Sequence, residues 1–422
     1  MRPGLAVFLA LATVALLIGR PKGLPEGAAA LMGAAAFLVT GLLLPAAAVS
    51  AIVRDWNVFL FLLGLMLASG LAEQAGLFDW LARVAARRSF RSVRVLFFYI
   101  AAVVVVVTVV LTNDTAALVL TPIVYTVVVT LGLEPLPFLF ATTFLANAAS
   151  LILPISNPLN FIVADSFNLG LLNYLAAMWL PALAAAALTT LLLFLLFRRS
   201  LTGHFEVTAV SDAGRTPAVT DTAIILILLG AAYITGSLAG IPLGLISVVG
   251  ASVLVLNSWR RVELDWPETY RAINLQVFGF LAGMIVVVQG LSNTGVLRSF
   301  GQLVVRLSGS GNVGTVTVTT AAAAIGSNII NNLPAGLALS ATFHQHVALT
   351  AAHRTLAAYS TIIGCDLGPN LTHIGSLSAM IWLLILRKRG VEVSVLDYLK
   401  IGVILTPVTL AAAVAALLIT TS

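Results

Sequence analysis

The chain carries little charge and almost no sulfur. Of its 422 residues, 9% are Asp, Glu, Lys or Arg, where a soluble domain has about 25%. There is one cysteine, Cys365, which excludes a disulfide framework and the thiolate cages that hold soft metals. No G-x-x-x-x-G-K-[ST] run occurs, so the chain has no loop of that type to cradle the phosphates of ATP. No long hydrophilic stretch could form a separate soluble domain, and no nucleophile–base pair stands at a recognisable spacing, so an enzyme is not expected.

What is present is apolar residues, 60% of the chain, with a mean hydropathy of +1.07. Runs of about 17–25 apolar residues, long enough to span a bilayer, recur from end to end. The expected fold is an all-α polytopic membrane protein. The first 20 residues resemble a signal peptide, but Arg20, Pro21 and Lys22 follow without a small-residue cleavage pattern, so they read as a retained first span.

The two halves repeat at an offset of about 219 residues: NVFLFLLGLM from Asn57 lies against QVFGFLAGMI from Gln276, and Gly76 falls opposite Gly295. LTNDTAALVLTP falls opposite NIINNLPAGLAL, which sets Asn113 against Asn331 and Asp114 against Asn332. The first repeat covers residues 1–197, with spans at 4–19, 27–45 and 56–75, a returning pair at 95–111 and 115–131, an interrupted span at 138–170 and a last span at 173–197. Residues 198–220 form a linker. The second repeat, 221–422, places its spans at 221–237, 242–258 and 274–293, its pair at 313–327 and 333–345, its interrupted span at 354–386 and its last span at 395–420. Each half crosses an odd number of times, so consecutive copies lie in opposite orientations, the inverted repeat found in many secondary transporters.

Basic residues set the orientation. With 20–26, 77–94, 198–220, 257–273 and 387–400 on the cytoplasmic side, 17 of the 22 Lys and Arg lie there, as the positive-inside rule requires. Both termini then lie on the non-cytoplasmic side. The same asymmetry accounts for the net charge of +6, so nucleic acid is not an expected partner. Charge counting alone leaves ten spans plus two re-entrant hairpins and twelve full spans equivalent.

Chemistry concentrates where polar residues interrupt these apolar runs. An ionised Asp at membrane depth costs roughly 2.5–3.5 kcal/mol and persists only beside protein, water or a partner. Asp114 stands in such a place, flanked by Thr112, Asn113 and Thr115, which can take up backbone groups freed at a helix break. The competing structural use of this aspartate is to cap the following helix. Ser156, Asn157 and Asn160 accompany Pro154 and Pro158 in the first interrupted span, and two prolines four apart prevent a continuous helix. The second interrupted span gathers Asp366, Asn370, Thr372, His373, Gly375 and Ser376 around Gly368 and Pro369. Four matched breaks point to one central site. Glu73, late in the third span, reads as either a transport residue or half of an interfacial ion pair.

The runs LTNDTAALVLTPI, LPISNPLN, NNLPAG and DLGPNLTHIGSLSAMIWL resemble the ArsB-type arsenite efflux pumps of the ion transporter superfamily, which also holds dicarboxylate carriers and sodium/proton antiporters. The resemblance covers nearly the whole chain, and GPN–THIGS–W is its most specific part. It implies a scaffold domain and a transport domain, with about ten transmembrane helices and two re-entrant hairpins whose tips lie near 112–115 and 328–333. It implies export of arsenite and antimonite as the neutral trihydroxy species from the cytoplasm across the cell (inner) membrane, in exchange for protons. Substrate would be bound by Thr112, Asn113, Thr115, Ser156, Asn157, Asn160, Asn331, Asn332, Asn370, Thr372, Gly375 and Ser376. Asp114, Asp366 and His373 would couple protons. No cofactor and no metal is implied. The partners are arsenite or antimonite, protons and the lipid bilayer, and in this family a cytosolic ATPase can attach. Dicarboxylate carriers carry Ser-Asn-Thr at both tips, whereas this chain has Thr112-Asn113-Asp114 and Asn331-Asn332, a departure that disfavours carboxylate substrates. A sodium/proton antiporter and a passive channel for small neutral solutes are the alternatives.

Overall fold

The structure, a computed structural model, describes residues 2–19, 21–206, 216–261, 265–345, 349–372 and 375–421. The regular elements among the described residues are helices, with one isolated antiparallel bridge between Ser92 and His204. In the first half the helices are α1 (Arg2–Gly19), α2 (Glu26–Val39), α3 (Pro45–Arg54), α4 (Trp56–Gln74), α5 (Leu77–Arg88), α6 (Val93–Val110), the short turn α7 (Asn113–Thr115), α8 (Thr121–Thr130), α9 (Leu136–Ala149), α10 (Pro158–Ser166) and α11 (Leu171–Leu196). The second half adds α12 (Pro217–Leu238), α13 (Leu243–Arg261), α14 (Trp266–Ala272), α15 (Leu275–Asn293), α16 (Val296–Ser308), α17 (Asn312–Ile330), α18 (Asn332–Gln345), α19 (Ala351–Leu367), α20 (Leu377–Lys388) and α21 (Val395–Thr420). Among the described residues, nine helical stretches are long and apolar enough to cross a membrane. The protein is a multi-pass membrane protein.

Helix boundaries follow local chemistry. Pro45, Pro158 and Pro217 occupy first-turn positions, where a missing N–H costs nothing. The Thr216, Thr350 and Ser394 hydroxyls accept from the N–H groups of Val219, His353 and Asp397 at the starts of α12, α19 and α21. Gly76 and Gly295, which the sequence sets in register, precede α5 and α16 with left-handed φ values of 76° and 78°.

Four helices from the two halves pack as two close pairs, α2 with α15 and α4 with α13. Lipid tails are as apolar as leucine, so such pairs hold by close backbone approach at small residues. A Cβ at Gly283 would stand 2.5 Å from the Ala30 carbonyl carbon, and one at Gly64 would strike the Ser247 backbone.

Two differences from the sequence reading concern short helices. The second span ends at Val39 instead of 45, because Gly41 turns the chain in the left-handed region before α3 begins. Residues 77–88 and 296–308, which lie between the expected spans, form α5 and α16. Their polar faces keep them below any span criterion, yet α5 buries Leu77, Phe78, Ala82, Ala85 and Ala86 and sets Arg87 and Arg88 at its end. Residues 207–215 of the linker and His373 lie outside the described residues.

Candidate functional site

The first break lies between α6 and α7. Thr112 is extended, at φ −152° and ψ 164°, and its hydroxyl accepts from the Thr115 N–H at 3.1 Å. Thr112 is therefore the cap, which leaves Asp114 free of that role. The Asp114 carboxylate accepts a hydrogen bond from Ser378 at the start of α20, and the Ser378 hydroxyl pairs with Ser376 at 2.6 Å. Asn113 turns inward: its Nδ2 donates to Asn147 Oδ1 at 3.3 Å, and its Oδ1 accepts from the Asp114 N–H at 2.9 Å. The second tip turns at Asn331, between α17 and α18, with φ +77°.

The interrupted spans break as their prolines require. After α9 the chain makes two short 3-10 turns, Ser150–Ile152 and Pro154–Ser156, before α10 starts at Pro158. After α19 it makes one turn, Gly368–Asn370. These breaks bind each other across the molecule. Asp366 is 1% exposed, and its carboxylate accepts from Ser150 Oγ, Asn157 Nδ2 and Asn160 Nδ2, each at 2.6 Å. Asn147 Nδ2 donates to Asn370 Oδ1 at 2.9 Å, and Asn370 Nδ2 donates to the Phe144 carbonyl at 3.1 Å. A chain of three asparagines thus ties the first tip to both breaks. Asn328 performs the same service for the second: it donates to the Gly368 carbonyl at 2.8 Å and accepts from Thr372 Oγ1 at 2.7 Å.

Two cavities meet at Asp114. The larger, about 530 Å³, runs along α4 past Leu65, Met66, Ser69 and Glu73 to Tyr270 and Arg271, with Thr112, Asp114, Thr115 and Ser378 on its inner wall. The smaller, about 40 Å³, lies between the tips and is lined by Asp114, Asn157, Asn331, Asn332 and Ser376 among others. At the opposite end of α4 the helix is joined to α10. There Asn57 Nδ2 donates to Asp165 Oδ1 at 3.3 Å, Asn57 Oδ1 accepts from the Gly244 N–H at 2.9 Å, and the Phe61 and Phe161 rings lie 4.5 Å apart.

The expected site residues therefore divide into two sets. Thr112, Asp114, Thr115, Asn157, Asn331, Asn332 and Ser376 face these cavities. Asn113, Ser156, Asn160, Asp366 and Asn370 are buried behind that wall, and Thr372 and Gly375 line neither cavity. Gly375 is there for space, since a Cβ would stand 2.7 Å from Pro369 Cα. Glu73 faces the larger cavity. The sequence marks Asn147 and Ser150 as polar residues of the interrupted span without assigning them to the site, and it singles out neither Asn328 nor Ser378. The only signal for them was a polar residue in an apolar helix near a break. Cys365, beside Asp366, is fully buried with its Sγ toward the Ala323 carbonyl at 3.9 Å.

A family model described as "Citrate transporter" matches residues 13–364. An arsenical pump membrane protein of Escherichia coli (strain K12) is 32% identical over 96% of this chain and 96% of its own. The chain belongs to this transporter family and is an ArsB-type member of it. A putative arsenical pump membrane protein of Bacillus subtilis (strain 168) is 27% identical over 94% of this chain and 95% of its own. In fold, this ArsB-type chain is similar to the crystal structure of the Alcanivorax borkumensis YdaH transporter, with a TM-score of 0.57 at 15% identity over 88% of this chain and 86% of that one. It is a membrane transporter.

Proposed function

We propose that the protein exports arsenite and antimonite, as their neutral trihydroxy acids, in exchange for protons. The observation that carries this reading is the small cavity between the tips. Its walls offer amides, a hydroxyl and one carboxylate from Asn157, Asn331, Asn332, Ser376 and Asp114. A buried water needs about 10–15 Å³ of such space, so 40 Å³ suits about three hydroxyl-sized groups. The names of the curated relatives support the same substrate.

The larger cavity supports a state open toward the cytoplasm, because it ends at Tyr270 and Arg271 in the segment that the charge count assigns there. Membership of a family described by citrate offers a second substrate. A trianion in these cavities would face Asp114 and Glu73 with only Arg271 to offset them, which disfavours it. A neutral acid meets no such repulsion.

Driving a neutral solute outward needs a coupled charge, and each inward proton supplies about 2.3 kcal/mol per 100 mV. Asp114, at the junction of the two cavities, and Asp366, behind it, are the carboxylates placed to carry that charge. Inverted vesicles test the reading. With an acidic lumen they should accumulate arsenite above the outside concentration, and Asp114→Asn should abolish that accumulation. Uptake that only equilibrates, whatever the gradient, would indicate a channel. Proton flux that needs sodium and ignores arsenite would indicate a sodium/proton antiporter.

A further inference from the structure

The buried carboxylate of Asp366 has a feature that three equal donors would not require. Asn157 and Asn160 present amide nitrogens to it, and an amide nitrogen can only donate. Neither amide can readily present its oxygen instead. Asn157 Oδ1 is held by the Leu159 N–H at 3.0 Å, and the Asn160 Nδ2 position is fixed by a second bond to the Ser150 carbonyl at 3.1 Å. These two groups can only donate to the carboxyl, whichever protonation state it holds.

Ser150 differs. Its Oγ stands 2.6 Å from Asp366 Oδ2 and 2.7 Å from the Asn147 carbonyl oxygen. One hydroxyl proton cannot serve both acceptors at once, so one of the two contacts is unfilled at any moment.

We infer that Ser150 is the residue that lets Asp366 hold or release a proton inside a sealed core, by rotating its hydroxyl between two acceptors. With Asp366 ionised, the Ser150 O–H points at Oδ2. With Asp366 protonated on Oδ2, that new O–H donates to Ser150 Oγ, and the Ser150 O–H turns to the Asn147 carbonyl. Asn157 and Asn160 keep their bonds, because both carboxyl oxygens retain a lone pair. No heavy atom moves, and both carboxyl oxygens of Asp366 keep a hydrogen-bond partner in either state. The carbonyl that gains the bond belongs to Asn147, whose side chain holds Asn113 and Asn370. The proton state of Asp366 is thereby read at the chain that positions the first tip. The titratable groups facing Asp366 are Asp114 at the tip, Tyr174 from α11 and Cys365 on its own helix, with the Tyr359 ring 6.0 Å from that of Tyr174. Beside it, α9 and α17 contribute only amide, hydroxyl and apolar groups, and the one titratable side chain of α10, Asp165, is turned to Asn57 at the start of α4. The inference rests on the proton-coupling reading of Asp366.

Infrared difference spectroscopy of the reconstituted full-length protein tests it. The carbonyl stretch of a protonated carboxylic acid is recorded across pH, and the band lost in Asp366→Asn is assigned to Asp366. In Ser150→Ala that band should move to higher frequency, as for an acid deprived of a hydrogen bond, and proton-coupled arsenite exchange should slow about tenfold. Ser150→Thr, which keeps the hydroxyl, should restore both. Ser150→Gly gives the same reading as Ser150→Ala should the latter not fold. An Asp366 band at the same frequency with and without the hydroxyl overturns the inference, as does the absence of any Asp366 band across the pH range. If instead the wild-type protein moves arsenite without protons, the transport reading fails while the band still decides the role of Ser150.

Discussion

Asp366, from the second half of the chain, and Asn157, from the first, share a 2.6 Å hydrogen bond in the core, and Asn157 also lines the small cavity between the tips. Asn157 therefore touches both the cavity proposed for the solute and the buried carboxylate. Replacing it with alanine removes one of three donors to Asp366 and enlarges the cavity. Arsenite affinity should fall about tenfold, while Asn160→Ala, which lines neither cavity, should leave it within about twofold. Initial uptake rates over a range of arsenite concentrations distinguish these outcomes. Equal losses in both variants would remove Asn157 from the binding wall.

The inward-open state proposed above requires access to the larger cavity from one side only. Met66 faces it, whereas Phe161, 3% exposed, is packed at the closed end of α4. A membrane-impermeant maleimide applied to the cytoplasmic face should label Met66→Cys, and Phe161→Cys should stay unlabelled from either face. The single native thiol gives no background, since Cys365 is fully buried. Equal labelling of Met66→Cys from both faces would contradict an inward-open cavity.

Gly283 holds α15 against α2. An added methyl would lie 2.5–2.7 Å from the atoms of Ala30, most of them backbone, so the helices must separate. Gly283→Ala should cost about 1–3 kcal/mol of stability. A lowered thermal transition in detergent checks this, and Gly230→Ala, where a Cβ meets nothing within 4 Å, serves as the control.

Asp55, between α3 and α4, has its carboxyl pushed up to about 6 by burial and by Asp165, with Arg54 opposing. The ionised form is thus the costly one in the folded protein. That cost is absent below the ordinary carboxylate value of 3.8, grows as pH rises toward about 6, and is fully present above it. Allowing for its partial exposure, Asp55→Asn should add about 1–2 kcal/mol of stability near neutral pH. The gain should vanish in acid. Thermal unfolding followed at both pH values reads the difference, and an equal gain at both would show that the charge is not responsible.

Much of this architecture is legible in the residues. Pro154 and Pro158, and Gly368 with Pro369, lie where the helices stop, because a missing N–H or an absent side chain acts locally. The apolar runs gave the long helices for the same reason. The direction of each polar side chain at a break is not local. Asn147 meets Asn370 across 223 residues of sequence, and that contact turns Asn113 and Asn370 away from the cavities they were expected to line. Asn160 likewise serves Asp366 and not the solute space. The helices α5 and α16 escaped notice because they are short and half polar, so neither length nor mean apolarity marks them.

Trivalent arsenic binds thiols avidly, so the export proposed above would expose the protein to a reagent for its own sulfhydryl. Here the sole sulfhydryl lies sealed within a helix–helix contact, against the Ala323 carbonyl, with no exposed surface. On the proposed reading, an arsenical passing between the tips meets no thiol among the residues that line the two cavities, so the pathway offers no sulfhydryl to hold it.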